Sequence, residues 1–280
     1  HAANEPLTLK DAGDGPSLLR WSSWEERFPW LSAGFSTRIG GTSAEPWSSL
    51  NCGLHVGDAD ADVVENRRRV AIAAGFAPEG WTCAEQVHGV QVRVVEASDA
   101  GRGFASRDDA IPATDALLTN VPGVMLNSFY ADCVPLWFVD PVRRAVGVAH
   151  AGWRGSVADI AGETVRAFAK AFGSAPSELY AAIGPSIRGC CYEVDDHVAM
   201  HIRKDAESSI TPSSPGRYLL DLAKFNRQKL TEAGILPNRI EISQYCTSCR
   251  TDLFFSHRKE NGRTGRMTAW IARKEEVRRP

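Results

Sequence analysis

Nowhere in the sequence does an apolar run approach the roughly 20 residues that a helix needs to cross a bilayer, and the N-terminus lacks the basic-then-apolar build of a secretory signal. A cytoplasmic location without a membrane partner is expected. Charge of one sign is missing too. The 32 Lys and Arg are interleaved with 34 Asp and Glu for a formal net charge of −2, which gives no electrostatic reason to expect nucleic acid or an anionic surface as partner. A small molecule is expected instead. The seven cysteines are odd in number and lack the dense spacing of a small secreted scaffold, so reduced thiols fit better than a disulfide framework. No repeat, low-complexity tract or linker divides the 280 residues, 43% of them hydrophobic. A single domain is the default. His1 in place of Met reads as a processed start and is not counted among the site histidines.

Two motifs lack their usual partners. Cys246 and Cys249 are spaced like half of a zinc knuckle, but no second CxxC or HxxxH follows, and buried core thiols are the expectation there. The RIGG stretch from Arg38 lacks the Lys and spacing of a P-loop and the third glycine of a dinucleotide fingerprint. Arg38 could still pair with phosphate or carboxylate beside the backbone N–H groups of Gly40 and Gly41, with a surface hairpin as the alternative.

What is present is a series of short apolar runs. VQVRVVEA, ALLTN, GVMLNSF, VPLWFVD, RRAVGVAH and LYAAIG suit strands. Helices are predicted in DADVVENRRRVAIAAG, in SVADIAGETVRAFAKAF with Ser156 available as its cap, in DDHVAMHIRKDA and in DLAKFNRQKLTEAG. Ala97 to Asp115 and the segment DAESSITPSSPGR read as surface loops. Strands and helices mix irregularly, so the expected fold class is α/β (α+β): mixed β-sheets covered by helices, without regular parallel alternation.

Three residues carry the chemistry that the pattern suggests. His88 in AEQVHGVQV, Cys133 in SFYADCVPLWF and His150 in GVAHAGWRG each sit beside apolar, strand-like residues, where a polar group needs a partner or a metal. Singly, each histidine reads more readily as a hydrogen-bonded core residue. Together, two imidazoles and one thiolate suit Zn²⁺ and leave a fourth tetrahedral position open. His257 and Arg258, directly after the apolar Phe254 and Phe255, are the candidates from the C-terminal segment for reaching a pocket.

The order of FSTRIGGTS, LNCGLHVGD, EQVHG, TDALLT, ADCVPLWFVDP, VGVAHAGWRGS, AAIGPSI, CYEVDD and CTSCRTDLFFSHRKENGRTGRMTAWI resembles the laccase-domain family, also called the YfiH or polyphenol oxidase family. The resemblance runs from about Phe35 to Ile271 and implies a YfiH-like catalytic domain over 35–280, with 1–34 as an N-terminal extension and first strand. It also implies a zinc site of His88, Cys133 and His150. Asn51 follows the family's asparagine-before-glycine pattern and is expected to contact ribose. Ser186 stands where many relatives have cysteine, which speaks against an essential thiol at that position.

Three activities are attached to this resemblance. The oldest name implies copper-dependent phenol oxidation. Multicopper laccases use several His-x-His pairs, however, and this chain has none among its seven histidines, so zinc is favoured over copper. The favoured reading is phosphorolysis of adenosine, inosine or methylthioadenosine to base and pentose 1-phosphate, with adenosine deamination alongside. The alternative is a cysteine-type hydrolase or peptidoglycan precursor editing factor, suggested by a fold similarity to bacterial toxins with a Cys and His pair. In the favoured reading, Arg38, and Arg258 with Ser256 and His257, neutralise phosphate. Asp115 and Asp132 are candidates to fix a histidine tautomer, with a turn cap as the alternative for Asp115. The expected partners are a purine nucleoside and phosphate, and the expected state is a monomer or small homo-oligomer.

Overall fold

Alternating side chains in the longer strands sort the core into layers on either side of two sheets. The computed structural model describes residues 5–275. The first sheet has the order β1 (Thr8–Lys10), β2 (Leu18–Arg20), β3 (Leu31–Ser36), β15 (Met267–Arg273), β7 (Met125–Tyr130) and β4 (Trp81–Cys83). The second has the order β14 (Ile240–Ile242), β10 (Tyr180–Ile183), β8 (Val134–Asp140), β9 (Ala145–Ala151), β6 (Ala116–Thr119) and β5 (Val92–Val94). A small antiparallel sheet joins β11 (Glu193–Asp195), β13 (Arg217–Leu220) and β12 (Ile210–Ser214). Both large sheets are mixed, because β4 meets β7, β5 meets β6 and β10 meets β14 in parallel. The helices are α1 (Ser22–Arg27), α2 (Asp60–Ala74), α3 (Trp153–Val157), α4 (Ile160–Phe172), α5 (Asp196–Ala206) and α6 (Leu222–Glu232). Among the described residues, no helix is long and apolar enough to cross a membrane.

Strand parity decides which residue reaches which core. In β15, Met267, Ala269 and Ile271 join the core between the two sheets, whereas Trp270 and Ala272 pack with Val70, Ala71 and Ala74 of α2. In β9, Val146 and Val148 belong to the inter-sheet core, while Ala145, Ala149 and Ala151 pack with α4 and α6. His150 shares the parity of Val146 and Val148. It therefore faces the space between the sheets at the end of its strand.

The expected mixed α/β fold is the one found, with local corrections. The boundary between 34 and 35 cuts through β3, and residues before it supply β1, β2 and the start of β3 in the first sheet. Leu19, Ala33 and Phe35 are fully buried in the inter-sheet core, so this segment is integral to the fold. The helix expected after Gly155 begins earlier and is broken into α3 and α4. Ser156 is buried within α3, where its Oγ accepts from Asn226, and the cap of α4 is Asp159, whose carboxylate accepts the Gly162 N–H. DAESSITPSSPGR is not all loop: Ile210–Ser214 pairs with Arg217–Leu220 around the Pro215–Gly216 turn. The apolar Ile210 and Leu220, both buried, anchor that hairpin.

Candidate active site

Three neighbouring strands deliver the functional side chains by register. In the β8–β9 pair Pro135 lies opposite His150, so Cys133, two residues before Pro135 and of the same parity as the inward-facing Trp137 and Val139, comes diagonally beside the His150 ring. In the β6–β9 pair Ala116 lies opposite Ala149, which places Asp115 next to His150 on the other side. The His150 N–H donates to the Asp115 carbonyl at 2.8 Å, and the His150 ring Nδ1 meets Asp115 Oδ1 at 2.9 Å. With Nδ1 occupied by the carboxylate, Nε2 is the nitrogen left for Cys133 or a metal.

His88 arrives from a loop, and backbone chemistry holds it. The N–H groups of Val87, His88 and Gly89 all donate to the Asp115 carboxylate, at 3.2, 3.0 and 2.8 Å. Three successive amides closing on one anion require a left-handed residue in the turn, and His88 adopts it with φ 60°. Gln86 fixes the other side of this loop by pairing its amide with both the N–H and the carbonyl of Phe129. Asp132, immediately before Cys133, is also left-handed at φ 89° and turns the chain from β7 into β8. The His88 and His150 ring centroids are 4.8 Å apart and nearly perpendicular, and Gly152 leaves room for them. A Cβ at Gly152 would lie 2.9 Å from His88 Cδ2 and 3.3 Å from Cys133 Sγ.

The electrostatics form a buried thiolate and imidazolium pair. Burial alone would raise Cys133, but the facing His150 charge, hydrogen bonds from His150 and His88 and the His88 charge outweigh it and bring the thiol down to about 6. Burial would likewise lower His150, yet the Cys133 charge and Asp115 outweigh it and raise the imidazole to about 9. The Tyr130 ring lies tilted beside His150, with centroids 5.5 Å apart, and its hydroxyl is held by Ser128 and the Ala149 carbonyl.

This cluster lies on the wall of a cavity of about 550 Å³. The size suits a small organic ligand with an anion beside it. Arg107, Arg154, Arg258 and Arg266 edge the cavity, with Trp153, Tyr192 and Phe129 as flat apolar surfaces. Arg258 rides over the Tyr192 ring at 5.2 Å and Arg154 over Trp153 at 4.9 Å.

A family profile described as "Multi-copper polyphenol oxidoreductase laccase" matches residues 32–274. The chain belongs to this family. It is similar to "Purine nucleoside phosphorylase YlmD" of Geobacillus stearothermophilus, 48% identical over 248 residues that cover 87% of this chain and 90% of the relative. The protein of that name from Bacillus subtilis is 43% identical over 93% of this chain and 96% of its own length. The crystal structure of YlmD from Geobacillus stearothermophilus superposes with a TM-score of 0.91 at 45% identity, covering 97% of this chain and 100% of that one.

The family's metal association finds suitable donors here. The ligand atoms of His88, Cys133 and His150 lie within 4.8 Å of one another, grading from exposed His88 to buried His150. Two imidazoles, one of them oriented by a carboxylate, and a thiolate already favoured by its surroundings fit a single borderline-soft cation such as zinc. Among the described residues the other such cluster is made of thiols alone.

Several expected residues fall elsewhere. Arg38 does not line the cavity: Nε donates to the Ser48 carbonyl and Nη1 to the Thr251 carbonyl and the Glu260 carboxylate, at 3.1, 3.0 and 3.0 Å. Those bonds tie three loops together. Asn51 is fully buried and binds Asp58, Gly53 and the Arg266 N–H, so it holds the segment that carries Arg266. Asp132 orients no histidine. Its carboxylate accepts from Thr247, from Ser256 and from the Arg258 N–H, which also removes Ser256 from the cavity lining. Asp115 takes both roles considered for it, orienting His150 and capping the His88 turn. His257 and Arg258 do line the cavity. Arg107, Arg154, Arg266 and Tyr192 were missed, although the GWRG turn directly after His150 was a signal for Arg154.

Proposed function

We propose that this protein is a zinc-dependent purine nucleoside phosphorylase that also deaminates adenosine. The observation that carries the reading is a three-donor His/Cys/His cluster, open on one side, in the wall of a cavity that Arg107, Arg154, Arg258 and Arg266 edge. The names of its relatives support the phosphorylase part of it. In phosphorolysis a phosphate oxygen forms a bond to the anomeric carbon, the glycosidic C–N bond breaks, and the base departs with the electron pair and takes up a proton. His88, Cys133 and His150 would hold the metal, which supplies a Lewis acid with a free coordination position when bound. Arg258 and Arg154, pre-positioned on Tyr192 and Trp153, would neutralise the phosphate, and the flat faces of those rings would hold the purine. Asp115 keeps His150 in one tautomer throughout. Deamination, in which water replaces the exocyclic amine, would use the same open side.

The test is to incubate zinc-loaded protein with adenosine, with and without phosphate, and to separate adenine, inosine and hypoxanthine. Adenine is expected only with phosphate, inosine without it, and neither from Cys133→Ala. No conversion under either condition would overturn the assignment.

A second reading is favoured by one feature: Cys133, His150 and Asp115 also line up as nucleophile, base and orienting carboxylate, the arrangement of a cysteine-type hydrolase or a precursor-editing enzyme. It predicts activity indifferent to chelators and a covalent adduct trapped at Cys133.

A further inference from the structure

A second cluster of soft ligands lies away from the three-donor site. Cys190 and Cys191 follow β10, and Cys246 and Cys249 follow β14. Because β10 and β14 pair in parallel, with Ala181 opposite Ile240 and Ile183 opposite Ile242, both chains leave the sheet at the same end. The pairing continues as a bridge between Ser186 and Cys246, with the Thr247 N–H donating to the Ser186 carbonyl. A tight turn, in which the N–H groups of Cys191 and Tyr192 both donate to the Arg188 carbonyl, then brings two adjacent cysteines toward the other pair. All four sulfurs lie within 4.8 Å of one another, with Cys249 Sγ 3.6 Å from Cys190 and 3.3 Å from Cys191.

We propose that Cys190, Cys191, Cys246 and Cys249 form a closed, structural tetrathiolate zinc site. A tetrahedral zinc with metal–sulfur bonds of about 2.3 Å requires sulfurs about 3.8 Å apart, which small side-chain shifts reach from the 3.3 and 3.6 Å contacts and the 4.8 Å outer limit found here. A disulfide would join two of the four at about 2.05 Å and leave the other two unexplained. The Arg188 N–H donates to Cys246 Sγ at 3.4 Å, the contact expected at a metal-bound thiolate, and the Arg188 guanidinium lies close by on Asp221. The CxxC of Cys246 and Cys249 thus finds its second half in an adjacent Cys-Cys pair 55 to 59 positions away, a spacing no knuckle pattern contains.

The site would brace the substrate cavity. Ile187 and Tyr192, on the loop that carries Cys190 and Cys191, both line it. The Ile187 N–H donates to the Asp132 carbonyl, and Thr247, beside Cys246, donates to the Asp132 carboxylate that also binds the Arg258 N–H. Metal at the cysteines would tie these two loops together beneath Arg258 and Tyr192.

The experiment is zinc analysis in a Cys133→Ala background, which weakens the three-donor site and so separates this proposal from the proposed activity. Cys133→Ala protein is expected to retain one zinc per chain, and the further pair Cys191→Ser and Cys249→Ser to lose it, with a lower thermal midpoint. Cobalt loading of Cys133→Ala covers the case in which the cysteine pair cannot be replaced without unfolding, because a tetrathiolate gives intense sulfur-to-cobalt charge-transfer bands. Zinc content unchanged by the cysteine pair, no zinc with four freely titrating thiols, iron in place of zinc, or a cobalt spectrum without those bands would each overturn the assignment.

Discussion

Asp115 is the most informative residue to perturb, because one carboxylate organises three parts of the site. It receives three backbone N–H groups from the His88 turn and the His150 ring. Asp115→Ala would orphan all of them. An unsatisfied buried donor costs about 1–3 kcal/mol, and the His88 turn is partly exposed and can recover some bonds from water, so a loss of about 3–5 kcal/mol is expected. Asp115→Asn keeps the shape and one acceptor oxygen but loses the charge and turns the other position into a donor facing N–H groups. A loss of about 2 kcal/mol is expected for that variant. The larger effect of Asn should be on the metal. Removing a carboxylate that orients a ligating histidine typically weakens binding about 10- to 100-fold. Urea unfolding of the metal-free proteins and competition with a zinc chelator measure the two quantities separately. If Asp115→Asn unfolds at the wild-type urea concentration and binds zinc as tightly as wild type, the carboxylate does not organise the site and the reasoning fails.

Two other predictions rest on the same geometry. In chelator-treated protein, alkylation of Cys133 by iodoacetamide should rise with pH around a midpoint of about 6, because the thiolate is present above that value and lost as pH falls through it. His150→Ala removes the charge that outweighs burial, and the midpoint should move upward by a unit or more; an unchanged midpoint would show that the pair is not coupled. Gly152→Ala should reduce zinc affinity at least tenfold with little change in stability, since its Cβ would sit 2.9 Å from the His88 ring and only that exposed ligand can move away. Wild-type zinc affinity in that variant would show that His88 is not a ligand.

The elements were legible where periodicity was strong. The alternation in RRAVGVAH became β9, and the apolar spacing in SVADIAGETVRAFAKAF became α4 over Ile160–Phe172. His88, Cys133 and His150 could be singled out because each interrupts an apolar run, and the joint presence of EQVHG, ADC and AHAGWRG pointed to the family. The setting of Arg38 was not legible for a physical reason: an arginine beside glycines looks the same in sequence whether its donors face a ligand or the carbonyls of Ser48 and Thr251, to which Nε and Nη1 donate. Asp115 and Asp132 were likewise indistinguishable as carboxylates at strand ends.

By itself, the sequence determined which residue types were available and which segments could be strand or helix, since those depend on side-chain chemistry and local period. Only the tertiary structure decided who meets whom. The antiparallel register of β6, β9 and β8 puts Asp115, His150 and Cys133 side by side, and the parallel pairing of β10 with β14 gathers four cysteines that lie more than 50 residues apart in two pairs. Strand register and sheet order are set by the packing of whole faces such as Val146 and Val148 against Ala269 and Ile271, and no local stretch of chain contains that information.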